Sequence, residues 1–272
     1  HFDGPASSFI SNITLGYNSN SGVFAVTGTH NIENSTINYS STGINFNSVT
    51  NSIIRNNVLN SNSVAVSLGA LSATNYFYNT SILNCTTTTS GCISLAAASH
   101  NNVFELGIIN GSNNNLIHVA AAADNLTFKD FQFINSSGND LYLMGSPAYN
   151  NTFINTTYVL GEELLSPQDP NLILFRKWYY KTYVNDSSGT ALSDVNISVY
   201  NYTNEFVGNL TTNSSGYINL TSLIWYISTG GVRVYDNYTL NATKSGYVTS
   251  NHTLNLGDNN LTDFFTLTQG TA

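Results

Sequence analysis

The strongest constraint on the fold of this chain is a motif that returns about every 24 residues. The stretch "TNSIIRNNVLN" begins at Thr50, "TNYFYNTSILN" begins at Thr74, and "YNNTFINTTYV" begins at Tyr149. In each of them a large apolar residue follows asparagine, and a second apolar residue follows a few positions later. Self-similarity at this period is typical of solenoid folds, in which each repeat packs on the next.

The spacing inside the repeat indicates the shape of one turn. The first apolar position is read as Ile32, Ile53, Phe77, Phe104, Phe128 and Phe153, and the second as Ile37, Val58, Ile82, Ile109, Phe133 and Tyr158. The two positions are five residues apart, and side chains alternate along a strand, so the chain must bend between them. A third apolar cluster, such as "VAVSL" or "CISLAA", follows a polar loop. Three short strands per turn predict a parallel β-helix over residues 1–160, with six to seven coils about 4.8 Å apart.

The repeated asparagines are predicted to occupy the corners of the coils. Asparagine tolerates the left-handed backbone region that a corner requires, and stacked amides can hydrogen-bond along the rod. One candidate column contains Asn31, Asn51, Asn75, Asn102 and Asn151, and a second contains Asn38, Asn60, Asn84, Asn110 and Asn135. The alternative is that asparagine is merely common in loops.

The repeat resembles the right-handed parallel β-helix repeats of the pectate-lyase-like superfamily, which includes archaeal and bacterial surface proteins. The resemblance covers roughly residues 8–160 and rests on the asparagine, the Phe or Ile after it and the later aliphatic residue. It implies the fold more than any activity, because enzymes and non-enzymes share this scaffold.

The period stops near Gly161, and residues 161–177 are predicted to be a cap and linker. Residues 178–272 instead show alternating strands between Gly-containing turns, which predicts a small antiparallel β-sandwich. This part resembles a carboxypeptidase-regulatory-like, transthyretin-related domain. The matching residues are Asp186 and Gly189, Val195 to Val199, Thr212 and Gly216, and Lys244, Gly246 and Tyr247. The resemblance implies an accessory or adhesive module.

Asn-x-Ser/Thr sequences are more frequent than composition explains. After residue 170 there are 14 asparagines, of which about three or four would head such a sequence by chance in a chain this rich in Ser and Thr. Ten do so, against a weaker excess before residue 170. We therefore predict heavy N-glycosylation, with twenty acceptors: Asn12, Asn34, Asn38, Asn79, Asn84, Asn110, Asn125, Asn135, Asn150, Asn155, Asn185, Asn196, Asn201, Asn209, Asn213, Asn219, Asn237, Asn241, Asn251 and Asn260.

Cys85 and Cys92 are the only cysteines and flank "TTTTSG" in the longest coil. Two cysteines without a nearby histidine do not make a zinc site. In an oxidising compartment they are predicted to form a disulfide that closes the enlarged loop. Two buried free thiols are the alternative.

Charged residues are scarce, at 8% of the chain, and the net charge is −8. The basic residues are too few and too dispersed for nucleic-acid binding, and no apolar run is long enough to span a membrane. Glu105 and Lys129 are predicted to form an ion pair on adjacent coils. Arg55 and Asp130 are predicted to share another column but to lie three coils apart, too far to cooperate. No two carboxylates are predicted to share neighbouring positions on adjacent coils, so we predict no catalytic residues, no cofactor and no metal.

These features predict a secreted or cell-surface structural protein that is not an enzyme. The chain begins at His1 rather than Met, which is consistent with removal of a signal segment. The expected partners are covalent N-glycans and further copies of the chain, in a filament or surface layer of archaeal type. A copy could stack on the open end of the β-helix or receive the leading "HFDGPASSF" of a neighbour. The alternatives are an adhesin or carbohydrate-binding protein and, third, a polysaccharide lyase or hydrolase.

Overall fold

The computed structural model describes residues 2–3, 7–96, 98–119, 123–143, 150–166 and 171–270. These residues form 29 strands and one short 3₁₀ turn, Leu160–Glu162. They separate into two compact units, one of residues 1–175 and 228–232 and the other of residues 176–227 and 233–272. The predicted all-β fold is confirmed.

Three parallel sheets run along the first unit, and successive coils contribute one strand to each. The first sheet contains β1 (Phe2–Asp3), β4 (Ser21–Val26), β7 (Thr42–Asn47), β10 (Val64–Leu68), β13 (Gly91–Leu95), β16 (Asn115–Val119), β19 (Leu141–Leu143) and β21 (Glu163–Leu165). The second contains β2 (Ser8–Ser11), β5 (His30–Glu33), β8 (Ile53–Arg55), β11 (Tyr76–Tyr78), β14 (Val103–Glu105), β17 (Thr127–Lys129) and β20 (Asn151–Ile154). The third contains β3 (Thr14–Gly16), β6 (Thr36–Asn38), β9 (Val58–Asn60), β12 (Ser81–Cys85), β15 (Ile108–Ser112) and β18 (Gln132–Ser136). This is the predicted parallel β-helix, with about seven turns.

Like residues stack on like in the core of this unit. The inward column of the second sheet is Ile32, Ile54, Phe77, Phe104, Phe128 and Phe153. Adjacent phenylalanine rings in it are parallel, with centroids 4.5–5.0 Å apart. Two of the predicted core positions were wrong by one residue, because Ile54 and Leu59 face inward where Ile53 and Val58 were expected. Both errors fall where two aliphatic residues are adjacent, so that composition alone does not decide which one faces the core.

A left-handed residue marks the corner between the second and third sheets in seven consecutive coils. The corner residues are Asn12, Asn34, Asn56, Asn79, Leu106, Asp130 and Asn155, with φ between 47° and 57°. Amides at this corner bond to each other along the rod, as Asn56 Nδ2 does to Asn34 Oδ1 at 3.2 Å and Asn79 Nδ2 to Asn56 Oδ1 at 2.9 Å. Asparagine does occupy corners, as predicted, but none of these residues belongs to either of the predicted columns.

We expect Leu106→Asn to stabilise the protein by about 1 kcal/mol, because leucine is poorly suited to the left-handed region and asparagine is well suited to it. Leu106 is 44% exposed, so little apolar burial is lost, and an amide there could bond to Asn79 and Asp130. The matched control is Ile53→Asn, since Ile53 is 40% exposed but lies on a strand. Thermal denaturation should show a higher Tm for Leu106→Asn only. An equal or lower Tm would contradict the corner assignment.

The second unit contains two sheets. A four-stranded antiparallel sheet has the order β24 (Phe206–Thr211), β23 (Asn196–Tyr200), β27 (Asn237–Thr243) and β28 (Ser250–Asn255). The other strands are β29 (Leu261–Leu267), β22 (Ile173–Asp186), β25 (Thr221–Thr229) and β26 (Val232–Tyr235), in that order. The antiparallel sheet is consistent with the predicted sandwich. One pairing differs from the prediction, because β29 runs parallel to β22.

Residues 161–177, predicted to be a cap and linker, contain regular structure in their described part. β21 pairs in parallel with β19 and so continues the first sheet by one more strand. β22 begins at Ile173 and continues into the second unit. Residues 167–170 lie outside the described residues.

The turns predicted for the second unit are present. Asp186 Oδ1 accepts the N–H groups of Ser188 and Thr190, both at 2.9 Å, and closes the Asp-x-x-Gly turn. Gly216 has φ 78°, and a Cβ there would lie 2.6 Å from the carbonyl oxygen of Val184. Only glycine fits that position.

Candidate functional site

The asparagines of this chain form two structural classes. Six are buried, and none of the six heads an Asn-x-Ser/Thr sequence: Asn57, Asn62, Asn75, Asn102, Asn115 and Asn151. Each accepts a backbone N–H from a neighbouring coil through its Oδ1, at 2.9–3.1 Å. Four of them also donate Nδ2 to a backbone carbonyl at 2.9 Å. Buried asparagines therefore hold adjacent coils together.

The predicted asparagine columns are partly corrected by these contacts. Asn75, Asn102 and Asn151 share one column, but Asn51 lies at an exposed left-handed position and Asn31 lies on β5. The buried amides bond chiefly to backbone groups, whereas the prediction had amides bonding to one another. In the second column Asn84 and Asn135 are one residue out of register, as predicted, and donate to Asn60 and Asn110.

The second class contains all twenty predicted glycan acceptors. Every one of them is exposed or partly exposed, and none is buried. Eight of the ten in the first unit have positive φ and so lie at outward corners: Asn12, Asn34, Asn79, Asn84, Asn125, Asn135, Asn150 and Asn155. The amides that the fold needs inside are thus different residues from those that an oligosaccharyltransferase could modify.

Acceptors of the second unit concentrate on one face of the antiparallel sheet. Asn209, Ser198, Asn241 and Asn251 are successive cross-strand partners on its four strands. Their side chains share a face, because directly paired residues point to the same side of a sheet. Asn196 lies two residues before Ser198 and shares this face as well. The inward neighbours Val195, Ile197 and Val199 are buried, as their alternation predicted.

The predicted disulfide is present. Cys85 and Cys92 are bonded, and both are buried. Cys85 ends β12 in the third sheet and Cys92 lies in β13 of the first sheet, so the bond closes the loop between two sheets of one coil.

The predicted ion pair of Glu105 and Lys129 is confirmed, with 2.7 Å between Oε1 and Nζ. Tyr76 donates its hydroxyl to the other carboxylate oxygen, and burial together with this bond raises the pKa of Tyr76 to about 12. The predicted position of Arg55 was wrong. The one-residue error at Ile53 assigned Arg55 to a different column, whereas the structure places it in the column of Glu105 and Lys129. Arg55 lies opposite Glu33, with Nε 2.8 Å from Oε1.

The prediction that no two carboxylates occupy neighbouring positions on adjacent coils was also wrong. Asp140 and Glu162 immediately precede Leu141 and Glu163, which are register partners on adjacent coils. Asp140 is 1% exposed and accepts the N–H of Val159 at 2.8 Å, while Ser136 donates to Glu162 at 2.7 Å. Burial raises the pKa of Asp140, and the charge of Glu162 raises it further. The prediction missed this pair because it ended the repeat before Glu162.

A raised carboxyl pKa beside a second carboxylate is an arrangement that acid–base catalysis uses. A catalytic acid must also lie within hydrogen-bond reach of its substrate. Asp140 is 1% exposed, and it lines a small surface pocket together with Ser136, Val159 and the partly exposed Glu162. A buried carboxyl with a raised pKa also makes the stability of the last coil depend on pH.

We expect that stability to fall as pH rises. A pKa that is raised in the folded state makes the protonated acid stabilising, and this contribution is lost as pH rises through the raised value. Above about pH 4, the ordinary pKa of aspartate, Tm should fall less with rising pH in Asp140→Asn than in the wild type. Asp258→Asn, at an exposed loop position, is the control and should behave like the wild type. A wild-type pH dependence in Asp140→Asn would contradict this assignment.

Within the described residues, no group of three or more His, Cys, Asp or Glu side chains is placed to hold a metal ion. No helix in the same part of the chain is long and apolar enough to cross a membrane. His30 is buried, and its ring contacts Ser8 Oγ and the carbonyl of Thr27, both at 2.7 Å.

Comparison with known proteins assigns the first unit to a family. Residues 1–158 match the family described as "Right handed beta helix region", which is more than half of the chain. The protein therefore belongs to the right-handed β-helix family. A search of curated protein sequences found no match.

Among solved structures, the chain is similar to the TIE protein of Bacillus anthracis, with 17% identity and a TM-score of 0.27. The alignment covers 35% of this chain and 19% of the TIE protein. A likeness this weak carries no functional information.

Proposed function

We propose that this chain is a non-catalytic, heavily N-glycosylated extracellular structural protein that serves as a repeating protomer of a surface filament or surface layer. The proposal rests on the separation of buried asparagines from potential glycan acceptors. All six buried ones lie outside Asn-x-Ser/Thr sequences, and all twenty acceptors lie at least partly exposed. A carbohydrate coat would also keep a protein with only 8% charged residues in solution.

Assembly is supported by the first coil. β2 and β3 have a neighbouring strand on one side only among the described residues, and unpaired strand edges are templates for another chain. Phe9 on β2 is 65% exposed and Tyr17 after β3 is 83% exposed. Donation of the leading segment to a neighbour is not supported, because Phe2–Asp3 and Ser8–Ser11 are strands of the chain's own coils. Residues 1 and 4–6 lie outside the described residues.

Imaging of native material tests the assembly directly. Filaments or an ordered layer are expected, and the variant Phe9→Lys should give single particles because it places a charge on the open edge. Val248→Lys, at another exposed apolar position, is the control and should assemble. Native material that contains only single particles would contradict the assembly.

An adhesin or carbohydrate-binding role is the second candidate, and one observation favours it. The rings of Tyr17 and Tyr39 are parallel, with centroids 4.7 Å apart, and both residues are exposed. Both lie at the left-handed corner that follows the third sheet, which places the two rings one above the other on adjacent coils. Binding of the unassembled protein to a glycan array, lost in the Tyr17→Ser/Tyr39→Ser double variant, would favour this role.

A further inference from the structure

Three aromatic rings lie together on the second unit without being buried in its core. Tyr183 on β22 is 4.8 Å from Tyr217 and 5.6 Å from Phe264, measured between ring centroids. Tyr217 is 37% exposed and Phe264 is 48% exposed. Lys181 Nζ lies 4.7 Å from the centre of the Tyr217 ring. We call Tyr183, Tyr217 and Phe264 the three-ring surface.

The predicted glycan acceptor Asn185 lies beside this surface. It follows Tyr183 by two residues on the same strand, so both side chains leave the same face about 7 Å apart. Its strand partner is Thr266, and Phe264 is the partner of Tyr183. Thr266 Oγ1 donates to Asn185 Oδ1 at 2.9 Å and fixes the orientation of the amide. That bond uses the oxygen, whereas a glycan is attached through the nitrogen.

We propose that the three-ring surface binds the first sugars of the N-glycan on Asn185. The C–H groups on one face of a pyranose ring are apolar and slightly positive, and the face of an aromatic ring is negative, so the two attract when stacked. Stacking would also remove exposed aromatic area from water. This inference rests on the proposed glycosylation and adds a binding site for the carbohydrate.

The sugar is favoured over another protein as the occupant because the acceptor is so close. A glycan on Asn185 would start within two residues of the rings and would cover them before a second chain could dock. Asn209 and Asn241 lack such a neighbour, since Val207 and Thr239 precede them by two residues. Tyr235 precedes Asn237 by two residues, but these two residues lie on different strands, β26 and β27. Asn185 is therefore the acceptor that the three-ring surface fits.

A double-mutant cycle on the protein made in its native cells tests the proposal. Phe264→Thr replaces a half-exposed ring with a β-branched residue, which also favours strands. Asn185→Gln removes the acceptor. Each single variant should lower Tm by about 2–4 °C, and the double variant should lower it by no more than the larger single effect. Asn251→Gln with Phe264→Thr is the matched control, because Asn251 lies on the antiparallel sheet, and its effects should add.

Glycopeptide mass spectrometry of the same samples separates this proposal from the proposed function. Sugar at Asn185 with non-additive Tm shifts supports the binding site. Additive shifts, or an unmodified Asn185 in a protein glycosylated elsewhere, overturn the binding site and leave the proposed function intact. A protein without sugar at any acceptor overturns both.

Discussion

Replacing Phe128 by alanine is expected to lower the free energy of unfolding by about 3–5 kcal/mol, the range for truncating a fully buried phenylalanine. Phe128 is fully buried and stacks between Phe104 and Phe153, with centroid distances of 4.7 and 5.0 Å. Phe131 and Phe133 contact it edge to face, both at 5.6 Å. Coils above and below therefore lose contacts together, and the cavity cannot collapse without moving both.

Equilibrium urea denaturation of the full chain measures this effect. Phe9→Ala is the control, because Phe9 is 65% exposed and its truncation should change stability by less than about 1 kcal/mol. Equal effects of the two substitutions would show that Phe128 is not in the core column, and the coil register would then be wrong.

Asn102→Ala is expected to cost about 3–5 kcal/mol, because it leaves several buried polar groups without a partner at about 1–3 kcal/mol each. Asn102 Oδ1 accepts the backbone N–H of Asn75 at 3.0 Å and the Asn75 amide at 3.1 Å, and Nδ2 donates to the carbonyl of Ser72 at 2.9 Å. A loss this large from a polar residue is unusual, since most asparagines lie at the surface.

Asn113→Ala provides the matched comparison on the same coil. Asn113 is exposed, and its substitution should change stability by less than about 0.5 kcal/mol. The difference between the two variants, measured by urea denaturation, tests whether buried asparagines join the coils. A loss below about 1 kcal/mol for Asn102→Ala would contradict that role.

The sequence predicted the fold well because one physical pattern repeats in every coil. The five-residue separation required a bend, and the phenylalanine column followed from it. The pattern failed where it was degenerate or interrupted. Ile53 and Ile54 are equally hydrophobic, so the prediction placed Ile53 in the core where the structure has Ile54. The same error misplaced Arg55.

The candidate sites were harder to predict, because they depend on contacts between residues far apart in the sequence. Asp140 and Glu162 meet only because β21 adds a strand beyond the last recognisable motif. The three-ring surface joins residues from three segments, and β29 pairs in parallel with β22 where an antiparallel sandwich was expected. The sequence separates the acceptors from the other asparagines, but it does not separate buried from exposed ones, because Asn51 and Asn113 also lack the Ser or Thr that an acceptor requires and are exposed.

Site-resolved glycopeptide mass spectrometry of the protein isolated from its native cells tests the central claim most directly. Heavy N-glycosylation predicts that most of the ten acceptors after residue 170 carry sugar, together with outward corner acceptors such as Asn34 and Asn79. Native protein in which nearly all of these asparagines are unmodified would contradict the claim.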